Sequence, residues 1–167
     1  MAETAQRTSV PRERVPLTLD AGLVEWINGH SVAGGYFGSP SHAADRALGR
    51  LRAEMEVVRR LCRESGTSFR AAAFWRIYAQ EMEESRPGAA GRPARGVPRL
   101  RKGRPKFYAS VSEEMLGWIS QLITEDGPFI SLSQAVEVGL RRMRAADDGE
   151  PRPPDPHAMW AAYQKEL

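Results

Sequence analysis

Residues 12–52 and 104–144 carry one pattern written twice, offset by 92 positions without a gap. Eleven of the 41 aligned pairs are identical: Arg12/Arg104, Trp26/Trp118, Ile27/Ile119, Gly35/Gly127, Phe37/Phe129, Ser39/Ser131, Ser41/Ser133, Ala43/Ala135, Leu48/Leu140, Arg50/Arg142 and Arg52/Arg144. Chance gives roughly two or three at this composition, so the match is an internal repeat. Each copy has the patterning of one short strand followed by two helices. One such unit cannot close a core alone, whereas two can cover each other.

In the first copy Val15, Leu17 and Leu19 alternate with Arg14, Pro16 and Thr18, the period of a half-buried strand. Asp20 is an N-cap signal for a helix with Leu23, Trp26, Ile27 and His30 on one face, stopped by Gly34-Gly35. Ser39-Pro40 then supplies a cap and a proline at the first helical position, where the missing N–H costs nothing. Ala43, Ala47, Leu48, Leu51 and Met55 form the apolar face of that helix, which runs to about Glu64 with Gly66 beyond its end.

The second copy repeats the grammar. Lys106, Tyr108 and Ser110 alternate with Phe107, Ala109 and Val111. Ser112 caps a helix expected to bury Met115, Leu116, Ile119 and Leu122, and Asp126-Gly127-Pro128 breaks it. Ser131-Leu132-Ser133-Gln134 is a capping box for a helix that buries Ala135, Val136, Gly139, Leu140 and Met143. Between the copies, Ser68–Glu84 is predicted as one further helix. Arg52–Glu84 also fits a helix-turn-helix or the helical part of a third, strandless unit; packing against the first copy is the simplest reading.

The chain thus divides into a polar arm (1–13), a first unit (14–64), an additional helix (65–84), a Pro/Gly/Arg linker (85–104), a second unit (105–146) and a Pro-rich tail (147–167). The tail ends in a short helix, Pro156–Glu166, capped by Asp155, which gathers Met159, Trp160 and Tyr163.

A net charge of +3 and a pI near 9.3 favour a polyanionic partner only weakly. The distribution says more. No acidic residue occurs from Ser85 to Ser112, a stretch that carries Arg86, Arg92, Arg95, Arg99, Arg101, Lys102, Arg104 and Lys106. Such a local field attracts phosphate. Cys62 is the single cysteine, which excludes an internal disulfide and a Cys-based zinc site and fits a reducing compartment. With no apolar run of membrane-span length and no hydrophobic signal core, a cytoplasmic location is expected. His30, His42 and His157 lack a second ligand at helical spacing, and no nucleophile–base pattern or phosphate-cradling loop is present. The expectation is a protein without catalytic activity, metal or cofactor.

Strand, helix, Gly-containing turn and Ser-x-Ser-capped helix, found twice in register, resembles the ribbon-helix-helix family (the MetJ/Arc/CopG group). The first copy, through Gly35-Tyr36-Phe37-Gly38-Ser39-Pro40-Ser41 and Ala47-Leu48, is similar to the ParD-type antitoxin version. The resemblance implies a mainly α fold with a short two-stranded antiparallel β-ribbon, made of two ribbon-helix-helix units in one chain. It also implies double-stranded DNA as partner, with the ribbon in the major groove. Arg14, Pro16, Thr18, Lys106, Tyr108 and Ser110 would then be the base-contacting face. The helix starts at Ser39, Ser41, Ser131 and Ser133 would hold backbone phosphates, with Arg101, Lys102 and Arg104 adding to the phosphate contacts. Pro16 can occupy a strand only if its nitrogen faces the open edge. Because Tyr108 occupies the matching place, the two halves are expected to read different bases.

Lys102-Gly103-Arg104-Pro105-Lys106 also resembles the core of an AT-hook, with Gly91-Arg92-Pro93 a poorer copy; a general electrostatic arm is the simpler reading. The function this implies is sequence-specific DNA binding, as a transcriptional repressor. Two alternatives stay open: an antitoxin that neutralises a toxin through its tail, and an accessory DNA-binding protein of plasmid transfer or partition, with a toxin or relaxosome component as protein partner. Met159, Trp160 and Tyr163 are the candidate partner-binding residues, either offered to that partner or docked on their own chain.

Overall fold

The structure, a computed structural model, describes residues 10–32, 37–86, 104–124, 127–145 and 154–167. The elements in chain order are β1 (Arg12–Thr18), α1 (Ala21–Val32), α2 (Pro40–Ser65), α3 (Ala71–Arg76), α4 (Ala79–Glu84), β2 (Lys106–Ser112), α5 (Glu113–Ser120), α6 (Leu132–Ala145) and α7 (Pro156–Lys165). The protein is mainly helical, and β1 and β2 form one two-stranded antiparallel sheet within the same chain.

The register explains why the repeat is gapless. Arg14 faces Ser110, Pro16 faces Tyr108 and Thr18 faces Lys106. Exchanging the copies turns the Arg14/Ser110 pair into Lys106/Thr18 and returns Pro16/Tyr108 to itself. An approximate two-fold axis therefore passes through Pro16 and Tyr108. The helices obey the same relation. Ala47 and Gly139, equivalent positions of the two copies, meet where α6 crosses α2; a Cβ on Gly139 would lie 2.4 Å from the Ala47 carbonyl oxygen.

The strands contribute their inner face to the core. Val15, Leu17, Ala109 and Val111 are buried, and Phe107 is partly so. They rest on the buried faces of α2 (Ala43, Ala44, Ala47, Leu48, Leu51, Met55) and α6 (Ala135, Val136, Leu140, Met143). Burial of this contiguous apolar set is the main force holding the two halves together.

Helix ends follow local chemistry. The Asp20 carboxylate accepts N–H groups from Gly22 and Leu23, starting α1. Ser39 accepts from the His42 N–H ahead of Pro40, and Gly66, in the left-handed region at φ 69°, closes α2. Ser131 accepts from Gln134 N–H, and the Gln134 side chain accepts in return from Ile130 N–H, one residue upstream of the usual capping-box partner. The expected Gly34-Gly35 stop lies outside the described residues, as does Asp126.

Three expectations are corrected. Ser68–Glu84 is not one helix but α3 and α4, separated at Ile77–Tyr78. Its start is delayed to Ala71 because the Tyr163 hydroxyl takes the Arg70 N–H at 2.8 Å and Phe69 stacks on the same ring, holding Arg70 extended. This segment packs on both copies rather than on the first alone. Tyr78 reaches Glu54 on α2, Trp75 meets Phe129 edge-on at 5.1 Å, and Arg141 on α6 pairs with Glu84 at 3.1 Å. In α5, only Ile119 is fully buried; Met115, Leu116 and Leu122 are partly covered, because the helix ends at Ser120 and lies at the edge of the core.

Candidate nucleic-acid interface

Which backbone N–H groups face the open edges of the ribbon follows from which strand pairs share hydrogen bonds. Leu19 N–H donates to Pro105 carbonyl at 3.4 Å and Glu113 N–H to Pro11 carbonyl at 3.1 Å, bracketing the ladder. Since hydrogen-bonded pairs alternate, Pro16/Tyr108 is a non-hydrogen-bonded pair. The Pro16 nitrogen therefore faces away from β2 and no ladder bond is lost, as the strand required.

The neighbouring outward N–H groups are satisfied in a symmetric way. Thr18 N–H donates to Ser133 Oγ at 2.9 Å, and Ser110 N–H to Ser41 Oγ at 2.7 Å. Thr18 and Ser110 are equivalent positions, as are Ser133 and Ser41. Each strand edge is thus closed by the first turn of the other copy's second helix. This brings the N-termini of α2 and α6, with their positive dipole ends, to the two sides of the ribbon.

Arg14, Pro16, Lys106 and Tyr108 are exposed on that face, Tyr108 to 56%, while Thr18 and Ser110 are half-buried. Neither Arg14 nor Lys106 forms an ion pair with a carboxylate among the described residues. The Arg14 guanidinium lies 4.7 Å from the centroid of the Tyr108 ring. The six residues expected to meet bases are therefore gathered on one surface.

The phosphate set divides. Ser39 and Ser131 cap their helices, and Ser41 and Ser133 hold the strand edges; each hydroxyl oxygen accepts an internal N–H and keeps its own proton to donate. Arg104 faces inward, donating to Glu137 at 3.0 Å and to the Ser85 carbonyl at 3.1 Å. That engagement occupies part of its guanidinium, while the side chain stays 29% exposed. Arg101, Lys102 and Gly91-Arg92-Pro93 lie outside the described residues.

Arg104 has a counterpart that the composition did not single out. Arg12 pairs with Asp45 and also donates to the Ser110 carbonyl. Asp45 and Glu137 occupy equivalent positions, so the identity Arg12/Arg104 encodes two related ion pairs to the second helix of each copy. Glu137 is fully buried and also accepts the Asp20 N–H. Burial pushes its carboxyl above the usual range, against the opposing pull of Arg104, the Asp20 N–H and Arg141.

Arg50 and Arg142, an identical pair of the repeat, converge on the buried Glu54. Arg50 donates at 2.6 Å, Arg142 lies at 3.5 Å, and the Tyr78 hydroxyl donates to the same carboxylate. Burial and the Glu54 charge drive the Tyr78 phenol well above its ordinary value. In the sequence, a Glu one turn after Arg50 on the apolar face was the available signal.

The tail helix α7 docks on its own chain. Met159 and Tyr163 are buried and Trp160 partly so, with α2 beneath them. No helix of the described residues is long and apolar enough to cross a membrane. Comparison of the chain with protein-family models, with curated proteins and with solved structures finds no match.

Proposed function

We propose that this is a sequence-specific double-stranded DNA-binding protein acting as a transcriptional repressor, built from two ribbon-helix-helix units that form a pseudo-dimer within one chain. The observation that carries this reading is the outward ribbon face. It presents two cations without a carboxylate partner among the described residues, three hydroxyls and a proline around one approximate two-fold axis, with a helix N-terminus on each side. A two-stranded ribbon fits the major groove. Arg14 and Lys106 donate to guanine, Thr18, Ser110 and Tyr108 serve either base type, and Pro16 touches a thymine methyl. The starts of α2 and α6 hold phosphates and set the register.

Because Pro16 stands opposite Tyr108, and Arg14 corresponds to Lys106, the bound site is pseudo-symmetric rather than a perfect palindrome. Toxin capture by α7 would need Met159 and Tyr163 withdrawn from the core, so the docked tail lends the antitoxin reading no support. The test is selection of bound duplexes from a randomised library at fixed near-physiological salt. A single asymmetric motif is expected, and Arg14→Ala or Lys106→Ala should each weaken binding to it by about 1–3 kcal/mol. Binding without any sequence preference would refute the repressor reading.

A further inference from the structure

We infer that Tyr108 is a positioning residue for Arg14, and that the ribbon therefore reads one half of its DNA site more strictly than the other. The inference rests on the ribbon being the DNA-reading surface. The approximate two-fold axis exchanges Arg14 with Lys106 and Pro16 with Tyr108. Each cation thus has a different diagonal neighbour across the ribbon: Arg14 has the Tyr108 ring and Lys106 has Pro16. The structure places Arg14 over that ring, 4.7 Å from its centroid, within cation–π range. Lys106 has no such contact with a described aromatic residue.

The two cations also differ in kind. Guanidinium is a planar fork of five donors, whereas ammonium is a compact charge with three rotatable donors. Contact with the ring restricts the Arg14 fork before DNA arrives, so less side-chain freedom is lost on binding. A restricted fork accepts guanine O6 and N7 together and rejects edges that lack both acceptors. The swinging Lys106 ammonium finds a purine N7, a thymine O4 or a phosphate with similar ease. Tyr108 is 56% exposed and contributes nothing to the buried core, so its contribution is to the surface rather than to folding.

The test compares the native chain with Tyr108→Phe, which keeps the ring, and Tyr108→Leu, which removes it. Thermal unfolding confirms that both variants fold. In the DNA-free protein, the Arg14 side-chain proton resonances should be shifted upfield by the ring in the native chain and in Tyr108→Phe, and revert in Tyr108→Leu. In library selection, the Arg14 half of the motif should be sharply defined and the Lys106 half loose. Tyr108→Leu should relax only the Arg14 half, lowering its discrimination by about two- to fivefold, with no effect in an Arg14→Ala background. An unshifted Arg14, or an unchanged Arg14 half in Tyr108→Leu, overturns the positioning role while leaving DNA reading intact. Loss of discrimination at the Arg14 contact in Tyr108→Phe as well would trace that effect to the hydroxyl rather than to the ring under the guanidinium, and also overturn it. If no motif emerges from the native chain, the DNA reading and this inference fall together.

Discussion

Gly139 lies against the Ala47 carbonyl at the crossing of α6 over α2, and the two residues hold the same position in the two copies. The first copy carries a methyl there and the second carries none, so the approximate symmetry is broken at the point of closest approach. A side chain on Gly139 would bring its Cβ to 2.7 Å from the Ala47 carbonyl carbon and 2.9 Å from the Ala47 Cβ. Backbone cannot give way as a flexible side chain would.

Gly139→Ala is therefore expected to destabilise the fold by about 1–3 kcal/mol through overpacking. That is despite a gain of roughly 1 kcal/mol in helix propensity. Urea unfolding monitored by tryptophan fluorescence measures it. An unchanged or raised midpoint would show that the two helices do not cross here.

Ser41→Ala and Ser133→Ala each remove the acceptor for one outward strand N–H. The expected cost is about 1 kcal/mol apiece. Hydrogen exchange localises it: Ser41→Ala should speed exchange at the Ser110 amide and Ser133→Ala at the Thr18 amide, each leaving the other site protected. Equal effects at both sites would contradict a separate clamp on each strand edge.

Glu54 pairs with two guanidiniums and accepts from a phenol, so its loss and the loss of one partner should differ sharply. Glu54→Ala removes the buried carboxylate that Arg50 and Arg142 share, with Glu81 still 3.7 Å from Arg142. A penalty of about 3–5 kcal/mol is expected. Tyr78→Phe removes one hydrogen bond, the carboxylate keeping its arginines, and should cost about 1–2 kcal/mol. Chemical denaturation of the two variants side by side checks the ordering; a milder Glu54→Ala would mean that the arginines are held by other groups.

Much of this architecture was legible in the sequence because local rules and the repeat pointed the same way. The alternation around Pro16 and Tyr108 located both strands, and Asp20, Ser39, Ser112, Ser131 and Asp155 marked true helix starts. What escaped depends on contacts distant in sequence. The start of α3 is set by Tyr163, 93 residues from Arg70. Arg104 looked like part of a basic arm because its partner, Glu137, is 33 positions away. The convergence of Arg50 and Arg142 on Glu54 was not legible, because helical periodicity does not reveal that Glu54 lies under both. The outward ribbon face was visible as a row of residue types; the stacking of Arg14 on Tyr108 was not, since it needs the cross-strand register.

The Glu137 carboxyl gives a pH signature with a definite sign. Its folded-state pKa is raised above the ordinary 4.5, burial outweighing Arg104. The folded protein therefore holds this proton more tightly than the unfolded chain does. The associated stability is fully present below the unfolded pKa of about 4.5 and is lost as pH rises through the folded value. Glu137→Gln cannot titrate and lacks this component. The stability difference, native minus Glu137→Gln, should thus fall as pH increases from about 4 towards neutrality. Urea midpoints of both proteins across that range cancel the titrations they share. A difference that grows with pH would mean that Arg104 and the Asp20 N–H outweigh burial, with the Glu137 pKa depressed instead of raised.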